Sequence, residues 1–280
     1  MKVRVANHYG MCFGVRDAIE MAMDLSNRVP LTILGDLVHN PDVVARMEAA
    51  GASRAQAPGQ IETRSVLLTA HGTSDRLKNE LRSNGYEIHD ATCPLVERAH
   101  RALLKLVEEG CFPVVIGRED HIEVRGLTGD LDEHVVVGSI EDLEMLAPHA
   151  SPERPFGVIV QTTWPLEKAQ SMVEAIRARF PEVEARFVDT VCQPTKERQQ
   201  ALRDLAERCD VVIVVGGPDS NNSRKLVELS ERLGTPAHRV SNASELNSEW
   251  FTSAELVGLT AGTSTPEDVI EQVRIALEQM

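Results

Sequence analysis

Three of the chain's five cysteines stand in the same local setting, and that setting returns about once per third of the sequence. Cys12 follows Val3-Arg4-Val5-Ala6-Asn7, Cys93 follows Tyr86-Glu87-Ile88-His89-Asp90-Ala91-Thr92, and Cys192 follows Ala185-Arg186-Phe187-Val188-Asp189-Thr190-Val191. Each time a short strand-like segment leads into a cysteine that opens a helix-like segment. Zinc fingers gather their ligands within one short module, and these cysteines lie much farther apart. The separations suit three similar lobes, each delivering one thiolate to a common centre. Three thiolates without a fourth favour an iron–sulfur cluster with one open iron over structural zinc, which is closed and four-coordinate.

A chain of 280 residues is long enough for two or three small domains or one large one, and its 42% hydrophobic and 4% aromatic content makes the cores mainly aliphatic. The formal net charge of −14 argues against nucleic acid or an anionic membrane as a main partner. No apolar run approaches the roughly 18 residues of a membrane span. Met1-Lys2-Val3-Arg4-Val5 has no apolar leader segment, so secretion is not expected. An odd number of cysteines disfavours a disulfide framework. The expectation is a reduced, cytoplasmic protein.

Short runs rich in Val, Ile and Leu alternate with amphipathic stretches. The strand candidates include Leu31-Thr32-Ile33-Leu34, Val66-Leu67-Leu68-Thr69, Pro113-Val114-Val115-Ile116 and Val211-Val212-Ile213-Val214-Val215; the helical candidates include residues 96–109, 166–180, 196–209 and 223–233. The pattern predicts an α/β fold with parallel sheets covered on both faces. Two further sets of strand ends carry polar residues. One comprises Ala70-His71-Gly72, Gly117-Arg118-Glu119-Asp120-His121 and Gly216 onward to Ser223. The other comprises Val38-His39-Asn40-Pro41, Gln161-Thr162-Thr163-Trp164-Pro165 and Ala261-Gly262-Thr263-Ser264-Thr265-Pro266. Three small lobes in a pseudo-threefold arrangement follow, at 13–92, 93–189 and 190–280 with 1–12, enclosing a central pocket at the carboxyl ends of their strands. Residues 51–60, rich in Ala, Gly and Pro, read as a flexible surface loop.

A lone cysteine near a helix is more often a small core residue than a ligand. Cys111 and Cys209, each beside an apolar strand, fit that reading. His39, His71 and His121 sit at strand ends; taken singly they read as surface residues, taken together as donors to an anion. Asp219-Ser220-Asn221-Asn222-Ser223 exceeds what one helix cap requires. It reads as an uncharged phosphate nest in which Ser220, Asn221 and Asn222 donate beside backbone N–H groups. Ser264 offers the same chemistry. Glu123 would be an ordinary solvated glutamate, except that an enclosed cluster would raise its pKa enough to carry a proton at neutral pH, with Thr162 as orienter or relay.

Taken in order, Gly10-Met11-Cys12-Phe13-Gly14-Val15, Val38-His39-Asn40, Ala70-His71-Gly72, Ala91-Thr92-Cys93-Pro94-Leu95-Val96, His121-Ile122-Glu123-Val124, Gln161-Thr162-Thr163 and Thr260-Ala261-Gly262-Thr263-Ser264 closely resemble the 4-hydroxy-3-methylbut-2-enyl diphosphate reductase family of the methylerythritol phosphate isoprenoid route. The resemblance spans nearly the whole chain. It implies three α/β lobes around one four-iron, four-sulfur cluster held by Cys12, Cys93 and Cys192. It also implies an allylic diphosphate held by His39, His71, His121, Ser220, Asn221, Asn222 and Ser264. A proton routed from Glu123 with Thr162 would help release the hydroxyl as water, and ferredoxin or flavodoxin would supply electrons. Asn221 stands where the family usually has serine, Ile122 where it has proline, Met11 where it has phenylalanine, and Asp17 where a basic residue is frequent. Two rivals remain at this level. One is another three-cysteine cluster dehydratase or synthase resembling quinolinate synthase, which should show an arginine clamp for a dicarboxylate. The other is a non-catalytic iron–sulfur or zinc sensor, which needs neither Glu123 nor a phosphate nest.

Overall fold

The computed structural model describes residues 1–37, 41–218 and 220–280, with the side chains of residues 41, 42 and 221 outside the description. The predicted donor His39 therefore lies outside the described residues, and so does the side chain of Asn221. In chain order the first half contains β1 (Lys2–Val5), α1 (Phe13–Ser26), β2 (Leu31–Leu34), α2 (Pro41–Ala49), β3 (Ala52–Ala55), β4 (Ser65–Leu68), α3 (Asp75–Ser83), β5 (Glu87–Asp90), α4 (Pro94–Glu108), β6 (Phe112–Ile116) and α5 (Ile122–Thr128). The second half contains β7 (Val135–Val137), β8 (Phe156–Val160), α6 (Leu166–Arg179), β9 (Ala185–Phe187), α7 (Gln193–Ala206), β10 (Val211–Val215), α8 (Asn221–Arg232), β11 (Ala237–Val240), β12 (Leu256–Ala261) and α9 (Glu267–Gln279). None of the described helices is long and apolar enough to cross a membrane.

The strands form three four-stranded sheets ordered β3-β2-β4-β5, β7-β6-β8-β9 and β11-β10-β12-β1. Every described pairing between these strands is parallel. Each sheet has the same order of second, first, third and fourth strand, and the last sheet takes its fourth strand, β1, from the start of the chain. The three cysteine-bearing segments follow the fourth strands, β1, β5 and β9. These are sheet edges, which explains their polar sequences beside the apolar first and third strands.

Contacts divide the chain into two compact units, one of Met1–Met23, Asp36–Gly51 and Gln193–Met280, the other of Asp24–Gly35 and Ala52–Cys192. In the first, Val211, Ile213 and Val215 of β10 pack into one cluster with Val269, Ile270 and Val273 of α9. Val212 and Val214 pack on the other face with Leu202 and Leu205 of α7 and Leu226 of α8. The period-2 alternation of the strand thus fills two aliphatic cores at once. In the second unit β6 does the same: Phe112, Val114 and Ile116 join Val173 and Ile176 of α6, while Val115 joins Leu103 of α4 and Leu127 of α5. Cys111 and Cys209 are buried in these cores, as their sequence setting suggested.

Two expectations change. Residues 51–60 include a strand, since β3 pairs with β2 from Leu31↔Ala52 to Leu34↔Ala55. Alanine is a weak strand former, so the segment carries little local signal. Its two buried alanines, Ala52 and Ala55, stand at the ends of the strand on opposite faces, so their burial leaves no alternating pattern in the sequence. The grouping of strand ends also changes. Gly117 and Gly216 follow first strands, while His71 follows the third strand β4 and belongs with Thr162 and Ser264. Composition at a strand end does not say which neighbours the strand pairs with. Gly35, Gly117 and Gly216 mark the equivalent positions after the three first strands. Each donates its N–H to the last residue of the second strand, at Ala55 (2.7 Å), Val137 (3.0 Å) and Val240 (2.9 Å) respectively.

Candidate functional site

The three cysteines occupy equivalent positions. Cys12, Cys93 and Cys192 immediately precede α1, α4 and α7. Their N–H groups donate to the carbonyls of Thr263 (3.3 Å), Ala70 (3.1 Å) and Thr162 (2.9 Å), each two residues beyond its sheet's third strand. All five cysteines are free, and these three are half-buried while Cys111 and Cys209 are buried. A thiolate at the start of a helix is favoured by the peptide dipoles, and a half-buried sulfur can reach a ligand. Three soft donors in one repeated setting, with no fourth cysteine of that kind, fit an iron–sulfur cluster better than closed structural zinc.

In the second unit a buried acid lies beside one of these turns. His121 caps α5, its Nδ1 accepting the Glu123 N–H at 3.2 Å. Glu123 is 2% exposed. Its Oε1 accepts the Thr162 N–H at 2.6 Å, and its Oε2 accepts the Thr162 hydroxyl at 2.9 Å. Burial pushes the Glu123 carboxyl up to about 7, against the pull of the two Thr162 bonds. Thr162 therefore binds the acid through its N–H and hydroxyl and the Cys192 turn through its carbonyl. The His71 and His121 rings meet edge to face, 5.8 Å apart, and Thr69 Oγ1 lies 3.4 Å from His71 Nδ1. Two glycines allow this approach. A Cβ at Gly117 would come within 3.0 Å of Gln161 and Val124, and one at Gly126 would come within 3.1 Å of the Gly72 carbonyl.

In the first unit the corresponding positions carry hydroxyls. Ser220 caps α8 where His121 caps α5, and Ser264 follows β12 at the offset His71 has from β4. Ser220 Oγ accepts the N–H of Ser223 at 3.3 Å and its hydroxyl at 2.9 Å, and among the described residues no acceptor takes its own proton. Gly216 and Gly262 flank Ser223, leaving no space for a Cβ at either. Asn222 Nδ2 is buried without a hydrogen-bond partner among the described residues, as expected of a donor awaiting a ligand. Ser220 and Ser264 are buried too. Uncharged donors at a helix N-terminus can hold phosphate oxygens. Hence Cys12, Ser220, Asn222 and Ser264 fall in one unit, and His71, Cys93, His121, Glu123, Thr162 and Cys192 in the other.

The sequence places Ser223 in the Ser/Asn cluster but does not show that it orients Ser220, and it gives no sign of a buried polar stripe of Thr195, Arg198 and Gln199 at the start of α7. Their spacing of three and four residues continues into Leu202, Leu205 and Ala206, a core-facing pattern whose first turns are polar.

A family model described as LytB protein matches residues 3–278. The chain belongs to the LytB family. Among its relatives, 4-hydroxy-3-methylbut-2-enyl diphosphate reductase of Acinetobacter baylyi is 38% identical over 98% of this chain and 88% of that protein. The protein of the same name from Methylibium petroleiphilum is 39% identical over 97% of this chain and 84% of that protein. The solved structure of the E-1-hydroxy-2-methyl-but-2-enyl-4-diphosphate reductase of Plasmodium falciparum matches with a TM-score of 0.92 at 26% identity, covering 99% of this chain and 87% of that one. A second structure, described as (E)-4-hydroxy-3-methyl-but-2-enyl diphosphate reductase, the terminal enzyme of the non-mevalonate pathway, matches with a TM-score of 0.71 at 32% identity over the whole of both chains. The three parallel sheets are thus those of LytB proteins of known structure.

Proposed function

We propose that this LytB protein is an iron–sulfur oxidoreductase that removes the allylic hydroxyl of (E)-4-hydroxy-3-methylbut-2-enyl diphosphate. Two electrons and two protons convert the substrate to water and isopentenyl or dimethylallyl diphosphate. Three lobes, at 13–92, 93–189 and 190–280 with 1–12, surround the reaction centre in this reading. Cys12, Cys93 and Cys192 would hold one four-iron, four-sulfur cluster. When bound, that cluster supplies electrons one at a time and a Lewis acid for the departing hydroxyl. Ferredoxin or flavodoxin delivers the electrons, in the reducing cytoplasm that free thiols suit.

The observation that carries the reading is the buried Glu123 carboxyl, held by Thr162 and pushed up to about 7. A carboxyl with that pKa holds a proton at neutral pH and can give it up, which is what a reductive dehydroxylation requires. The Thr162 hydroxyl, hydrogen-bonded to it, orients the substrate oxygen or passes the proton on. His71, His121, Ser220, Asn222 and Ser264 supply donors for the diphosphate, and His39 and Asn221 complete the proposed set.

The test is anaerobic purification, iron and sulfide analysis, and product detection after adding the allylic diphosphate with a one-electron reductant. The expected result is about four irons per chain and both five-carbon diphosphates as products. A protein that takes up zinc but no iron, or a cluster protein that leaves the substrate unchanged, would contradict the proposal.

A further inference from the structure

We infer that Arg198 is a positioning residue for Cys12, clamping the turn that presents this thiolate; the inference rests on the reading of Cys12 as a cluster ligand. The three cysteine turns share a place in the fold, but they are not held alike. Asp90 and Asp189 stand three residues before Cys93 and Cys192. Each closes its turn locally, Asp90 Oδ1 accepting the Thr92 N–H at 3.0 Å and Asp189 Oδ1 the Val191 N–H at 3.0 Å. At the same offset before Cys12 stands Tyr9, whose hydroxyl donates away to Glu267 at 3.1 Å.

The Cys12 turn is also the longest. Residues 6–11 separate β1 from Cys12, whereas residues 91–92 separate β5 from Cys93 and residues 188–191 separate β9 from Cys192. Its backbone turns through Gly10, at φ 68° and with its N–H on the Ala261 carbonyl at 3.2 Å. A side chain at Gly10 would strain that conformation and bring a Cβ within 2.9 Å of Ile270 Cδ1.

Arg198 meets the Gly10 carbonyl with two donors, Nε at 3.1 Å and Nη2 at 2.7 Å, while Nη1 reaches the Pro194 carbonyl at 2.9 Å. The residue is 6% exposed. A guanidinium is expensive to bury, and it occupies a helix stripe that an aliphatic residue would fill at lower cost. The planar fork is what that position gains: it fixes one carbonyl along two directions and ties it to the first turn of α7. Arg198 and Cys12 line the same cavity of about 260 Å³. The clamp therefore does from a distance what Asp90 and Asp189 do locally.

The test uses metal-free protein and competitive alkylation by iodoacetamide, with each cysteine peptide quantified by mass spectrometry. Losing a charge-assisted pair of hydrogen bonds should speed alkylation of Cys12 about tenfold in Arg198→Met, while Cys93 and Cys192 stay within about twofold of wild type. Arg198→Lys, which keeps the charge without the fork, should give an intermediate rate at Cys12 and carries the test if the methionine variant fails to fold. Asp90→Ala should do the converse, speeding Cys93 and sparing Cys12. An unchanged Cys12, or equal acceleration at all three cysteines, overturns the clamp. Because the assay needs no iron, its outcome is separate from that of the cluster reading, which falls if wild-type protein assembles no cluster from iron and sulfide.

Discussion

His121 and Ser220 hold the same place in two sheets, capping the helix that follows the first strand, yet the two helix starts carry different groups. At α5 the capping imidazole accepts the Glu123 N–H, and the carboxylate is folded inward onto Thr162. At α8 the capping hydroxyl accepts from Ser223, and among the described residues its own proton has no acceptor. One start carries a carboxyl that burial pushes up to about 7. The other offers neutral donors, suited to an anion that would repel a carboxylate. A repeated strand–loop–helix frame thus fixes where a side chain stands, and the two or three residues after the cap decide what it does.

The two helix starts differ most at Glu123. Glu123→Gln keeps the shape and one acceptor oxygen, exchanges the other for an NH2 donor and cannot release a proton, so turnover should fall ~10²–10⁴-fold with little change in KM and no loss of iron. Steady-state kinetics beside iron analysis checks this, and an unchanged kcat would remove Glu123 from proton delivery.

The second effect is on stability. Between pH 4.5, the ordinary value, and about 7, the folded protein holds a proton on Glu123 that the unfolded chain has released. The folded state binds more protons there, so the unfolding free energy contributed by this group falls as pH rises through that window. Denaturant unfolding of metal-free wild type against Glu123→Gln should show wild type losing up to about 3 kcal/mol relative to the variant from pH 4.5 to 8. Parallel pH profiles would mean that the carboxyl is not held in a dry site.

The hydroxyl start should respond in KM. Ser220→Ala removes one donor to a charged ligand and should raise KM about tenfold with a smaller change in kcat. Ser223→Ala leaves that donor in place but unoriented, and a rise of about threefold is expected. Should Ser220→Ala lower kcat and spare KM, the two helix starts would share one role.

Much of this arrangement is legible in the residues. Val211-Val212-Ile213-Val214-Val215 reads as a buried strand and is one, and the cysteine settings reveal the repeat because each combines an edge strand with a helix start. Strand β3 is hidden because Ala52 and Ala55 have no strand signature apart from the neighbour they pack beside. The sorting of His71 fails because pairing partners are nonlocal. Arg198 escapes notice for a different reason: between Lys196 and Arg203 a charged residue reads as part of a solvated face, and only the fold shows that it faces inward to the Gly10 carbonyl.

Proton delivery depends on the protonation of one buried carboxyl, and its titration is the most direct measurement. A carbon-13 NMR pH titration of metal-free protein labelled at glutamate side-chain carboxyls would follow it, with the Glu123 signal identified as the one missing from Glu123→Gln. A midpoint near 7 is the predicted result. A midpoint near 4.5, where an ordinary glutamate titrates, would contradict it.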